Sequence, residues 1–156
     1  LSRRVTKQHI CYFFSKLKQK LGYSFSTRGI LSDDDITYYN SWIETMCNQG
    51  TDSDLPQRFL CGYHVQKNWA KKYSLIKDPE QRECVKTLML QMKSSLNQSH
   101  FDSKLAKLIE VLNHNNLDAF NRYFTENYLN RKSQWAYLYR INIAPTTNNS
   151  VENVNS

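Results

Sequence analysis

The stretch Arg28-Gly29-Ile30-Leu31-Ser32-Asp33-Asp34-Asp35 constrains the fold most, because a short apolar run stops abruptly against three carboxylates. Ile30 and Leu31 have the branched side chains of a brief buried strand, and Ser32 with the aspartates has the turn and capping chemistry that ends one. A carboxylate is therefore expected at the carboxyl end of a strand. In open α/β sheets that edge gathers ligands, since the loops there converge polar groups over a crevice.

Upstream, Val5, Ile10, Phe13, Phe14, Leu17 and Leu21 fall three or four apart and predict an amphipathic helix that buries this stripe, with basic residues on its outer face and Gly22 as its stop. After Asp33 a second helix is expected to about Cys47, burying Ile36, Tyr39, Trp42, Ile43 and Met46. Gln57–Cys61 reads as another short strand, running into Gly62-Tyr63-His64 and a helix with Val65, Trp69 and Tyr73. Strand, helix, strand, helix implies parallel pairing.

Beyond residue 76 the strand signals cease. Asp78-Pro79-Glu80 starts a helix, with a capping aspartate and a proline at the first helical position. Ser99 with Asp102 has capping-box spacing for the next helix. A further helix is expected from Leu117, and another through Trp135, Ala136, Leu138 and Tyr139. The fold class is α/β with a large all-α part. Thr147 to Glu152 has capping residues followed by an acid, so a helix start with Glu152 on its first turn is expected there.

In the 156 residues, twenty-one Lys and Arg against fourteen Asp and Glu leave a charge of +7, which favours polyanionic partners without identifying one. The four cysteines form no CxxC pair, and reduced thiols in cytosol or nucleus are expected. The longest apolar run, Ile10 to Phe14, is too short to cross a bilayer, so no membrane partner is expected. A start at Leu1 and an asparagine-rich end suggest an excerpt of something longer.

Three groups could carry chemistry. Asp33 with Glu152 could hold divalent metal for phosphoryl transfer, or the two acids could be caps. Cys61 and His64, three apart at a strand-to-helix turn, could share a zinc ion, act as nucleophile and base, or simply belong to the turn. Trp135 to Arg140 could stack a base and bind phosphate, or could form core.

In series, these motifs resemble the catalytic domain of Mutator-like DNA transposases. The resemblance runs through Leu31-Ser32-Asp33-Asp34 with Tyr39 and Trp42, then Leu60-Cys61-Gly62-Tyr63-His64-Val65 with Trp69, then Trp135-Ala136 with Arg140, and Thr147-Asn148 with Glu152. It covers roughly residues 8 to 156. It implies an RNase H-like core of the Asp-Asp-Glu superfamily with its first strands missing: residues 1–76 as the later part of the core, 77–140 as a helical insertion, and 141–156 as the return to the core. Asp33 matches the second acid of the triad and Glu152 the third, as ligands of Mg²⁺ or Mn²⁺. Asp34 and Asp35 are register alternatives to Asp33. Cys61 and His64 match a signature thought to arrange DNA near the active site. Lys67, Lys71, Lys72, Trp135 and Arg140 become candidate DNA contacts. The resemblance further implies a nuclear protein acting on transposon ends and target DNA, with room for a homo-oligomer. The chain departs from the family pattern in lacking a strand for the first acid, in having Thr146-Thr147-Asn148 before Glu152, and in having Asn153 after it. A non-catalytic DNA-binding or protein-interaction module, domesticated from such an element, is the competing expectation.

Overall fold

Helix α1 (Lys7–Leu21) stops where Gly22 adopts φ 72°, a left-handed conformation that costs glycine little, and the Gly22 N–H bonds to Lys18 O at 3.0 Å. The computed structural model describes residues 5–22, 27–47 and 55–143. Strand β1 (Gly29–Ser32) leads into α2 (Ile36–Met46), and strand β2 (Gln57–Leu60) leads into α3 (Gly62–Lys72). The two strands pair in parallel, from Gly29 opposite Gln57 to Ser32 opposite Leu60. One further bond, from Cys61 N–H to Ser32 O at 2.7 Å, closes the ladder. Both strands thus end at the same edge, where Asp33 and Cys61 emerge.

The rest of the described chain is helical: α4 (Pro79–Lys93), α5 (Gln98–His114), α6 (Asp118–Asn127) and the short α7 (Lys132–Trp135), with 3-10 turns at Tyr73–Leu75, Leu129–Arg131 and Tyr137–Tyr139. The α/β class with a large helical part therefore holds. Asp78 caps α4 as the sequence predicts, accepting the Gln81 N–H at 2.8 Å.

The core is built around aromatic edges. Trp69 of α3 meets Trp135 and Tyr128 in T-shaped contacts, with ring centres 5.4 and 5.6 Å apart, and the Trp135 indole N–H donates to Tyr128 O at 2.9 Å. This buried cluster runs from Leu60 and Val65 through Trp69 and Ile76 to Val85, Phe101, Phe124 and Trp135. The boundary expected at residue 77 falls inside it, so α3 packs with the helices that follow.

Four local expectations change, and the first is on α2, where Ile36 is 52% exposed rather than buried. Helix α1 buries only Ile10 and leaves Phe13 60% exposed, because it packs mainly on α2 and one neighbour covers only a narrow stripe, and Val5, which precedes the helix, is 61% exposed. Helix α5 begins at Gln98 under the side chain of Asn97, which accepts the His100 N–H at 2.8 Å and does the work expected of Ser99. The helix expected across Trp135–Tyr139 breaks at Ala136, whose extended backbone (φ −77°, ψ 135°) ends α7 and lets Trp135 sink into the core.

A Cβ added at Gly29 would lie 2.6 Å from Phe59 Cε2, and the Phe59 ring is fully buried. Gly29→Ala should cost about 1–3 kcal/mol in urea denaturation, and an unchanged midpoint would show that the Phe59 ring can yield. Burial also pushes the phenols of Tyr73, Tyr123 and Tyr128 above the usual tyrosine value of 10.0. The unfolded chain releases those protons first, so stability held below about pH 10 should fall as pH rises beyond it. Tyr123→Phe should flatten that decline in melting experiments at alkaline pH; an unaltered slope would contradict the assignment.

Candidate functional site

The three aspartates after β1 divide their work. The Asp35 side chain caps α2, accepting the Thr37 N–H at 2.8 Å and the Thr37 hydroxyl at 2.6 Å. Asp34 accepts both arms of the Arg131 guanidinium, at 2.8 and 3.0 Å. Asp33 accepts the Asp35 N–H at 3.2 Å and lines a crevice of about 390 Å³. Of the three register alternatives, Asp33 alone faces that space.

Phe14, Ile30, Leu31, Tyr38 and Trp42 form the apolar walls of the crevice, and His64 from the first turn of α3 shares it with Asp33. Ile30 and Leu31 are successive strand residues whose side chains point to opposite faces. Both line the crevice, which extends along β1. The Nδ1 atom of His64 is buried and makes no hydrogen bond among the described residues. A carboxylate and an imidazole on two parallel strand ends, walled by aromatic rings, can bind a polar group and move a proton to or from it.

The Cys-x-x-His pair is divided. Cys61 is fully buried at the head of α3, while His64 stands in the crevice, which Cys61 does not line. Among the described residues no group of three or more His, Cys, Asp or Glu could hold a metal ion. Glu152 lies outside the described residues, and so does its pairing with Asp33.

Lys67, Lys71 and Lys72 are exposed along α3 beyond His64. Lys67 Nζ stands 5.9 Å from the centre of the Tyr63 ring and Lys72 Nζ 5.6 Å from that of Tyr123, so cations and aromatic faces are paired on this surface. Trp135 and Arg140, the other candidate DNA contacts, are each only 1% exposed. Arg140 donates to Leu60 O at 3.0 Å and to Gln134 O at 2.7 Å and lies over the Phe59 ring, and burial lowers its pKa below the usual arginine value. A base or a phosphate could meet either side chain only if the core opened, and their place in this chain is structural.

Three functional-looking cations had no signal in the sequence. Lys93, half-buried, donates to Gly62 O at 3.3 Å, and its pKa is lowered by burial and by the charge of Arg140. Arg58 of β2 donates to Asp34 O at 2.9 Å, and Arg131 grips Asp34 from 97 residues away. No local pattern marks a partner at that separation. No family model matches the sequence, and no curated protein or solved structure matches it.

No described helix is long and apolar enough to cross a membrane. Replacing Arg140 with Met should remove the donor from the buried Leu60 carbonyl at the end of β2 and from the Gln134 carbonyl of α7, and cost about 3 kcal/mol. Chemical denaturation measures this, and a loss below about 0.5 kcal/mol would show that those carbonyls find other partners.

Proposed function

We propose that this chain is part of a DDE-type DNA transposase: an RNase H-like core, completed by strands outside it, that carries a helical insertion and cuts and joins DNA strands by two-metal phosphoryl transfer. The observation that carries the reading is the place of Asp33, a carboxylate at the carboxyl end of a parallel strand that opens into a crevice shared with His64.

Under this proposal Asp33 and Glu152, with an acid from outside the chain, would hold Mg²⁺ or Mn²⁺. Such ions activate a water and stabilise the leaving oxygen of a phosphodiester. The described residues supply one carboxylate to the crevice, because Asp34 is engaged by Arg131 and Asp35 by the start of α2, so they do not by themselves make a metal site. The role left to this chain's own groups is to hold Asp33 and His64 against the bound strand and to grip phosphates through Lys67, Lys71 and Lys72. The proposed setting is the nucleus, with transposon ends and target DNA as partners and a homo-oligomer as the working form.

A second reading is a non-catalytic DNA-binding or protein-interaction module descended from such an element. The exposed lysine row on α3 supports it, and neither acid is needed. Asp33→Asn with Glu152→Gln in the full-length protein separates the two: transposition should be abolished with DNA binding retained, whereas transposition that survives both changes would refute the catalytic role. In either case replacing Lys67, Lys71 and Lys72 with Ala should reduce the slope of log affinity against log salt by up to about 3. An unchanged slope would remove these lysines from the interface.

A further inference from the structure

The helical region sends three cations to the turns at which the strands end. Lys93 reaches Gly62 O, Arg140 reaches Leu60 O, and Arg131 reaches the carboxylate of Asp34. The first two fix the turn that leads to His64, and the third fixes the turn that carries Asp33. Arg131 is itself held on several sides. Its guanidinium lies 5.5 Å from the centre of the Tyr128 ring and its Nε donates to Asn127 O, so the fork is set before it meets Asp34. Arg58 completes the grip from β2, donating to the carbonyls of Asp33 and Asp34 at 3.5 and 2.9 Å.

An exposed ion pair would contribute little, since solvent screens it and the side chains lose freedom in making it. This pair differs in two respects. The Arg131 and Asp34 side chains are only 28% and 35% exposed, and both arms of the guanidinium are used in parallel. Asp33 is the next residue, and its carboxylate is tied to the same turn through the Asp35 N–H.

We infer that Arg131 is a positioning residue for Asp33: by clamping Asp34 it ties the turn at 33–35 to the helical region and sets the direction from which the Asp33 carboxylate meets His64 across the crevice. Its functional meaning rests on the crevice being the site proposed above. Lysine cannot replace it, because an ammonium group offers no planar fork to the two oxygens of Asp34.

The test uses the whole chain, with the carboxyl resonance of Asp33 and the imidazole resonances of His64 as the readout and neither metal nor DNA added. Arg131→Met, which keeps the aliphatic stem over Tyr128, should shift both sets of resonances by more than their line widths while the protein stays folded. Arg131→Lys should shift them too, and exchanging the pair as Asp34→Arg with Arg131→Asp should bring them back toward their original positions. Arg82→Met is the control: Arg82 donates to Ile76 O within the helical region, and its loss should move neither group. Unmoved Asp33 and His64 resonances in folded Arg131→Met or Arg131→Lys protein would overturn the inference and leave the transposase proposal untouched. Loss of the transposition proposal would in turn leave these shifts as expected.

Discussion

Strands Gly29–Ser32 and Gln57–Leu60 run parallel, and a parallel pair obliges the chain to cross back over the sheet before the second strand can begin. Helix α2 makes that crossing. The consequence is that both strands finish at one edge, and the turns that follow them deliver Asp33 and His64 to the same crevice. An antiparallel hairpin of the same residues would have placed the two at opposite ends.

Two four-residue strands are a meagre sheet, and such a pair is marginal without packing on other elements. Here the support comes from the helical side. The Trp69, Tyr128 and Trp135 cluster seats α3, and the buried guanidinium of Arg140 donates to the Leu60 carbonyl where β2 stops. Leaving such a group unpaired inside a core costs more than a typical hydrogen bond gains, so Arg140 is placed where β2 runs out of backbone partners, and Lys93 adds a bond to the Gly62 carbonyl in the first turn of α3. The helical region thereby fixes the turn before His64 as well as enclosing the core.

Local chemistry was legible wherever it decided the outcome by itself. Gly22 and the Asp78-Pro79 pair end and start helices through backbone geometry and capping that need no distant partner, and Ile30-Leu31 against the aspartates marked a strand end. Packing decided the rest. The stripe on α1 implies more burial than one neighbouring helix supplies, and Asn97 takes the cap that the spacing of Ser99 and Asp102 suggested. Trp135 and Arg140 look alike as core or as nucleic-acid contacts in sequence, and only the fold shows them inside. The partner of Asp34 is 97 residues away, beyond any periodicity. Asp33 and His64 were both named from sequence, but their meeting in one crevice depends on strand register.

Under the proposed function the Asp33 crevice is one half of a metal-dependent phosphoryl-transfer site whose other half includes Glu152. A crystal structure of the full-length protein grown with Mn²⁺ tests it most directly, through the metal position and the separation of the two carboxylates. The claim predicts Mn²⁺ bound by Asp33 and Glu152, with their carboxylates within about 8 Å, a span that ions roughly 4 Å apart can bridge. Glu152 ordered on an element far from the crevice, with no metal at Asp33, would contradict it.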